Sequence, residues 1–318
     1  MKNLLFLFLF IIFAVTSVNA QSEFIDVTLN DEVLNQLGYT PVRENVGKYN
    51  ETLTIYEGDT ITKSIYIPEN YSYDGRAYRI VKIAEEAFCH CPSIVDVEIP
   101  GTITKIEKKA FAHCESLQSV KIKDGVKIIG ESAFLNSTKL ENINIPNSVF
   151  KIGEEAFSCC KSIKNIEIPS SVTFIGDFAF NYCEGLKEIT IPSSITAISE
   201  NCFYQCRGLE KVTLPNTIKL IKGNAFCCCV SLKSITIPNG VTYIGDMAFS
   251  TCSEFTEFII PNSVKKIGHR AFWGCSLLKS ITVPDSVEDI AVNAFESIPQ
   301  IYYHGKATGL PWGAGKVN

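Results

Sequence analysis

Three consecutive cysteines, Cys227, Cys228 and Cys229, are the residues of this sequence with the most obvious capacity for chemistry. Thiolates bind soft metal ions and take part in thiol–disulfide exchange. A zinc site would require several thiolates to converge at about 2.3 Å from one ion. Whether these three thiols can converge depends on which of them the surrounding elements direct inward.

Two histidines form a second candidate cluster, because His90 stands in "FCHC" and His113 in "FAHC" 23 residues later. Imidazole and thiolate are both zinc ligands, so Cys91 and Cys114 are the natural partners of these histidines. If the two cysteines point the other way, the histidines only stack on each other. The sequence favours this second interpretation, and it predicts no metal ligand and no cofactor anywhere in the chain.

Catalytic motifs are missing from the sequence. It contains no glycine-rich phosphate-binding loop, no nucleophile elbow and no helical zinc motif. The acidic pairs Glu85–Glu86 and Glu154–Glu155 fall where solvated charge is expected. We therefore predict that the protein is not an enzyme.

The elements that position these residues follow from an internal repeat of 23 residues. A phenylalanine recurs ten times at this interval without insertion, and alanine precedes it in every copy except one, where Cys202 does. We number each repeat from its phenylalanine, so that +3 is three residues later, and we call equivalent positions a column. Aliphatic residues occupy +6, +9, +11, +15 and +18, except in one repeat that has Phe255 at +6 and Phe258 at +9. The spacing of two between +9 and +11 predicts a short strand with both side chains inward, and the proline that usually follows ends it.

Cysteine fills position +3 in eight of the ten copies, with Ser137 and Ile298 as the exceptions. Because this column accepts isoleucine, we predict that it is an apolar core column of mostly free thiols. Cys202 is predicted to be core as well, whereas Cys89, Cys159, Cys227 and Cys228, at +1 and +2, are predicted to face outward. The predicted core columns are Phe88, Phe111, Phe134, Phe157, Phe180, Phe203, Phe226, Phe249, Phe272 and Phe295 with Cys91, Cys114, Cys160, Cys183, Cys206, Cys229, Cys252 and Cys275.

The segment "CKSIKNIEIPSSVTFIGDFAF", Cys160 to Phe180, resembles the leucine-rich repeats of the BspA type, also called the treponemal type. The resemblance extends over about Val81 to Tyr303. It implies a leucine-rich-repeat solenoid, β-rich with short 3₁₀ or turn segments, in which about ten repeats stack between terminal caps. It also implies a non-catalytic adhesion protein, secreted or on the cell surface, that binds host or microbial surface proteins.

The ends of the chain depart from the repeat. Residues 1–20 have the layout of a signal peptide, with a basic start, an apolar run and small residues before Gln21. We expect residues 21–79 to form a β-rich amino-terminal cap, residues 80–303 the solenoid, and residues 304–318 a carboxy-terminal cap with Trp312 over the last repeat. Candidate glycosylation sites are Asn50, Asn70 and Asn136.

Two surfaces could bind a partner. Positions +8 and +10 flank the inward residues of the first strand, so their side chains point out. At +17 on the second extended stretch, apolar side chains are flanked by lysines, and either they form an exposed patch or they tilt into the core. The candidate residues are Asp96, Glu98, Lys121, Asn142, Asn144, Asn165, Glu167 and Glu188 on the first surface and Phe174, Leu220 and Tyr243 on the second.

Charge is scattered, with a formal net charge of −5 and no basic stripe. This pattern argues against nucleic acid or an anionic membrane as a partner. The predicted function is therefore a protein-binding or adhesion module. The alternatives are a structural role through self-association at the cell surface, and a thiol or metal buffer that would use the exposed cysteines.

Overall fold

The computed structural model describes residues 25–37, 39–45, 51–57, 60–61, 63–309 and 311–318. The expected signal peptide and the sequon at Asn50 lie outside these residues. The first part of the described chain consists of β1 (Ile25–Leu29), α1 (Asp31–Gln36), β2 (Tyr39–Asn45), β3 (Glu51–Glu57), β4 (Thr60–Ile61), β5 (Ser64–Tyr66), β6 (Asn70–Tyr73) and β7 (Arg76–Ile83).

The repeats contribute short strands and no helix in the described residues. In chain order they are β8 (Asp96–Ile99), β9 (Lys105–Ile106), β10 (Ser119–Ile122), β11 (Ile128–Ile129), β12 (Asn142–Ile143), β13 (Lys151–Ile152), β14 (Phe174–Ile175), β15 (Glu188–Thr190), β16 (Ala197–Ile198), β17 (Lys211–Thr213), β18 (Leu220–Ile221), β19 (Tyr243–Ile244), β20 (Lys266–Ile267), β21 (Ser280–Thr282), β22 (Asp289–Ile290), β23 (Gln300–Tyr302) and β24 (Lys316–Val317).

Successive repeats stack in register, and most contribute one short strand to each of two sheets and one turn to a third wall. In the first sheet, Val120 pairs with Val97 and Ile143 with Val120 in parallel strands. In the second sheet, Ile129 pairs with Ile106 and with Ile152. Pairings between consecutive repeats are offset by 23 residues, except that β21 pairs with β23 at an offset of 20. The fold is the predicted leucine-rich-repeat solenoid.

In both sheets the strand pairing is interrupted, so that each sheet consists of separate hydrogen-bonded sections. The first sheet consists of β5-β8-β10-β12, then β15-β17, then β21-β23-β24, and the second of β1-β7-β9-β11-β13-β14, then β16-β18-β19-β20-β22. The interruption between β14 and β16 falls at Ser199, whose hydroxyl donates to the Ile175 carbonyl. Three preceding repeats have glycine at this position, and a Cβ added to one of them, Gly176, would lie 2.4 Å from the Glu154 nitrogen. Glycine is not required for strand pairing at this position, because β16 and β18 pair although their repeats have Ser199 and Lys222 there.

The third wall is a stack of tight turns, each formed by positions −2 to +3 of one repeat. The backbone N–H groups of Phe88 and His90 donate to the carbonyls of Ala110 and Ala112 in the next repeat, at 2.8 Å each. This pattern recurs along the solenoid. The residues at −2 and +2 have left-handed backbone, with φ of 56° at Glu86 and 55° at His90. The turns direct the phenylalanine side chains into the interior.

The three walls enclose one hydrophobic core, which consists of stacked columns of equivalent apolar side chains. All ten repeat phenylalanines are completely buried. Their rings stack in parallel between adjacent repeats, with centroids 4.9 Å apart for Phe88 and Phe111 and 5.6 Å apart for Phe272 and Phe295. One repeat cannot enclose its own phenylalanine, so burial of this column depends on stacking.

The segments on either side of the repeats pair with them. At the amino-terminal end, β1 and β7 are parallel and β7 continues onto β9, so the first segment joins the second sheet directly. At the other end, the Trp312 indole is buried against Tyr303, and the Phe295 N–H donates to the Trp312 carbonyl at 3.0 Å. Within the described residues, no helix has the length and apolar character that crossing a bilayer requires.

Candidate binding surfaces and thiol cluster

The outer face of the first sheet carries the predicted polar residues in two adjacent columns. Ser119 pairs with Asp96 and Asn142 with Ser119 in the +8 column, and Lys121 pairs with Glu98 in the +10 column. The Asp96, Lys121, Asn142, Asn165, Glu167 and Glu188 side chains are exposed. The parallel register therefore brings residues that are far apart in sequence onto one polar face.

Two grooves lie on this face. The larger, of about 740 Å³, is lined by Asn144 and Glu167 together with Lys123, Asp124 and Glu69. The smaller, of about 390 Å³, is lined by Lys121, Asn142, Asn144 and Asn165. Of the predicted first-sheet residues, Asp96, Glu98 and Glu188 line neither groove.

Lys123 is a groove residue that the sequence analysis did not select. It occupies the position where eight other repeats have proline, so the irregularity was visible in the sequence. Its ammonium lies 3.0 Å from Glu98, which is also 3.6 Å from Lys121. The hydrogen bond from Lys123, with a smaller contribution from Lys121, lowers the pKa of Glu98.

Asn144 contributes to the fold as well as to the grooves. The Ile122 N–H donates to its Oδ1 at 2.9 Å, and its Nδ2 donates to the Ile122 carbonyl at 2.7 Å. The side-chain amide thus replaces a backbone peptide at the end of β10. Among the groove residues, Lys121, Asn142, Asn165 and Glu167 are the better candidates for contacts with a partner.

The second-sheet residues lie on the outer surface and outside the buried core. Phe174 is 49% exposed and Leu220 is 37% exposed, while Tyr243 is half-buried and pairs directly with Leu220. Phe174 is separated from Leu220 by the interruption after β14, and its ring lies 5.2 Å from the Lys151 ammonium. The three residues therefore form two small apolar spots.

The cysteines at position +3 are completely buried, and seven of the eight donate a hydrogen bond to a phenylalanine carbonyl of the preceding repeat. Cys183 Sγ donates to the Phe157 carbonyl at 3.2 Å, and Ser137 Oγ makes the equivalent bond to Phe111 at 2.9 Å. Desolvation raises the pKa of Cys183 well above its ordinary value. The sequence analysis predicted the burial but missed the hydrogen bond, which the serine in this column could have suggested.

The prediction that four cysteines face outward is wrong for two of them. Cys159 and Cys228, at +2, are half-buried, but Cys89 and Cys227, at +1, are buried. In the tight turns, a small side chain at +1 lies between the +1 side chains of the preceding and following repeats, which cover it. Cys227 Sγ lies 3.6 Å from Cys228 Sγ.

His90 and His113 stack, with ring centroids 4.3 Å apart and an interplanar angle of 3°. Asn136 Nδ2, the nitrogen of one candidate sequon, contacts His113 Nδ1 at 3.2 Å, whereas Asn70 is exposed on β6. Burial, followed by the charge of His90, lowers the pKa of His113. Within the described part of the chain, no three His, Cys, Asp or Glu side chains converge on a possible metal position.

Comparisons with known proteins agree with this architecture. The family model for the BspA type leucine-rich repeat region matches residues 81–210 and 173–302. A crystal structure of a leucine-rich repeat protein from Bacteroides ovatus is 30% identical with a TM-score of 0.72, over 83% of this chain and 70% of that chain. The T. pallidum leucine-rich repeat protein TpLRR is also 30% identical, with a TM-score of 0.51, over 57% of this chain and 82% of its own.

A third structure, the pneumococcal vaccine antigen PcpA, is 21% identical with a TM-score of 0.58, over 85% of this chain and 81% of that chain, and it shares the fold. No curated protein matches the sequence significantly. The 23-residue register, the stacked phenylalanines and the family match lead to one conclusion. This chain belongs to the BspA-type leucine-rich repeat proteins.

Proposed function

We propose that this protein is an exported, non-catalytic binding module that attaches to a protein on a host or microbial surface. Leucine-rich repeat proteins generally mediate protein interactions, and residues 1–20 have the pattern of an export signal. The proposed binding surface is the outer face of the first sheet in its first four repeats, which we call the polar face and define by Asp96, Glu98, Lys121, Asn142, Asn165 and Glu167.

One observation carries this proposal. Four of the six residues of the polar face, Lys121, Asn142, Asn165 and Glu167, are exposed and line two adjoining grooves. In the +10 column of later repeats stand Thr190 and Thr213, whose β-branched side chains suit a strand and need no functional explanation. The charged residues of the +10 column are therefore concentrated in the first four repeats, where the grooves are. A partner with both cationic and anionic groups would complement Glu167 and Lys121.

The test is retention of surface proteins from an extract of surface-biotinylated epithelial cells by immobilised mature protein. We expect a biotinylated protein to be retained, and retention to fall at least about tenfold in the variant Glu167→Lys, since like-charge contacts at an interface cost several kcal/mol. The matched control is Glu257→Lys, which makes the same charge change at an exposed position of a later repeat. Equal loss in both variants, or in neither, would contradict the polar face as the binding surface.

Self-association is the second candidate function, and the exposed Phe174 and Leu220 favour it. A second copy of the chain could cover both apolar spots and join them into one contiguous apolar interface, which is typical of an interaction site. Sedimentation analysis over a hundredfold range of concentration separates the two functions. A mass that rises with concentration, and that returns to the monomer value in Phe174→Ser, Leu220→Ser, would support assembly; a constant monomer mass would exclude it.

A further inference from the structure

We propose that Cys228 is a modification site, a reactive thiol that forms a mixed disulfide with small organic disulfides and is supported by Cys227 and Thr251. This inference goes beyond the proposed binding function and does not depend on it. It rests on the accessibility of the thirteen cysteines, on the contacts of one sulfur, and on the backbone of the residue beside it.

Most of the thirteen thiols are unsuited to such a reaction. Eleven are buried, and seven of the eight in the +3 column donate to phenylalanine carbonyls. Only a thiolate attacks a disulfide, and burial in an apolar interior suppresses the thiolate. Cys159 and Cys228 are the two half-buried thiols, and they occupy the same column three repeats apart. Accessibility therefore leaves two candidates.

Contacts distinguish Cys228 from Cys159. Cys227 Sγ lies 3.6 Å from Cys228 Sγ, and Thr251 Oγ1 lies 3.0 Å from it. The Thr251 hydroxyl has one proton to donate, and its oxygen also lies 2.8 Å from the Ser250 carbonyl oxygen. A charged acceptor forms the stronger hydrogen bond, so the hydroxyl would donate to a Cys228 thiolate in preference to that carbonyl. Cys159, in contrast, has the Ser158 hydroxyl at 3.7 Å.

The backbone at Thr251 is unusual and lies directly beside this sulfur. Thr251 has φ of 55°, and it is the one β-branched residue among those with left-handed backbone in the described ranges. Such a conformation is unfavourable for a β-branched side chain, and strain of this kind clusters at functional sites. The next residue in the column is Gly274, where an added Cβ would lie 2.9 Å from Thr251 Cγ2. Glycine at 274 thus makes room for threonine at 251.

These contacts act on the ionisation of the pair. The hydrogen bond from Cys227, followed by those of Thr251 and the charge of Arg207, lowers the pKa of Cys228 to about 6 although partial burial opposes the change. The same hydrogen bond, together with burial, raises the pKa of Cys227. Cys227 therefore remains a thiol donor while Cys228 is the thiolate.

The reaction is a simple exchange. The Cys228 thiolate attacks one sulfur of a disulfide R–S–S–R, the new bond forms between Cys228 and S–R, and the old S–S bond breaks. R–S⁻ leaves and takes up a proton from solvent, which replaces the proton that Cys228 lost on ionisation. Attack by Cys227 on the product is disfavoured, because adjacent Cα atoms are about 3.8 Å apart and unstrained disulfides need about 4.4–6.8 Å. The mixed disulfide should persist.

We expect Cys228 to react with a disulfide moderately faster than a thiol of ordinary pKa does. At pH 6 about half of Cys228 is thiolate, compared with about 0.3% for a thiol of ordinary pKa, about 8.5. The lower pKa reduces intrinsic nucleophilicity by about 10- to 20-fold, which leaves a net advantage of about tenfold. At higher pH the advantage shrinks, because ordinary thiols ionise.

The experiment treats the folded mature protein with a substoichiometric chromogenic aryl disulfide at pH 6 and locates the adduct by peptide mass mapping. We expect the first adduct at Cys228, formed about tenfold faster than at any other cysteine, with a rate that rises around pH 6. Cys228→Ser should abolish the fast phase. The matched control Cys159→Ser should keep it.

The pH dependence of the reaction rate tests whether Cys227 supports the Cys228 thiolate as a hydrogen-bond donor. Cys227→Ala should move the midpoint of the pH–rate profile upward, and Cys227→Ser, which retains a donor, should restore most of the shift. A first adduct at Cys159, an even distribution of adducts, a wild-type midpoint near pH 8.5, or a midpoint unchanged in Cys227→Ala would each overturn the proposal. The wild-type measurements remain decisive even if a variant fails to fold.

Discussion

At the scale of single residues, the thiol at position +3 joins each repeat to the one before it. The Phe157 carbonyl accepts the Cys160 N–H of its own repeat at 3.1 Å and the Cys183 thiol of the next repeat at 3.2 Å. A buried carbonyl has two lone pairs, and water cannot reach this one. Cysteine therefore suits the column because it is small and apolar and still has a weak donor.

This arrangement predicts different effects for two substitutions of Cys183. Cys183→Ala removes the donor and leaves a small cavity, which should lower the free energy of unfolding by about 1–2 kcal/mol. Cys183→Ser should cost less than about 1 kcal/mol, since Ser137 makes the same bond in its repeat. Urea denaturation followed by circular dichroism measures both. A serine variant no more stable than the alanine variant would show that the hydrogen bond is unimportant.

At the scale of the element, the tight-turn wall depends on left-handed backbone at two positions in every repeat. Glycine or asparagine is the usual solution for such positions, yet Lys109, Phe178 and Met247 occupy them with φ between 53° and 58°. In these repeats the inter-repeat hydrogen bonds, such as that from Met247 N–H to the His269 carbonyl at 2.8 Å, outweigh the local preference. Stacking therefore imposes the conformation of the turn.

Substitutions at Met247 test how much the local backbone preference contributes to stability at a left-handed position of the turn. Met247→Asn should stabilise the protein by about 0.5–1 kcal/mol, because asparagine adopts left-handed backbone more readily. Met247→Val should destabilise it by about 1 kcal/mol or more, because a β-branched side chain is crowded at positive φ. Both remove the same half-buried side chain, so each is the control for the other. Equal denaturation midpoints would mean that backbone conformation contributes nothing at this site.

Features that recur in every repeat were predictable from sequence, and features produced by a single substitution were not. The inward direction of Val97, Val120 and their equivalents followed from the spacing alone, as did the stacking of His90 on His113. The interruption between β14 and β16 was not predicted, because position +18 is isoleucine on both sides of it, at Ile175 and Ile198. The burial of Cys227 was missed because outward and inward positions cannot be separated by periodicity within tight turns.

At the scale of the whole molecule, a stack of repeats leaves hydrogen-bonding groups without partners at its ends. In the turn wall, N–H groups donate to the following repeat, so the last repeat needs an acceptor from another segment. The Trp312 carbonyl accepts from Phe295, and the Trp312 Nε1 donates to the Thr308 carbonyl at 2.8 Å. The carboxy-terminal segment thus continues the pattern of the repeats without repeating their sequence.

Trp312→Ala should therefore loosen the last repeats and leave the first ones intact. Removal of a buried tryptophan costs about 3–5 kcal/mol, but in a stack in which each repeat contacts only its neighbours the loss stays local. Hydrogen exchange should accelerate in β21 and β23 and remain unchanged in β10. Trp273→Ala, which removes an exposed tryptophan from an outer turn, is the control and should change exchange little. Uniform acceleration from β10 to β23 would mean that the solenoid unfolds as one cooperative unit, and the local view of its stability would then be wrong.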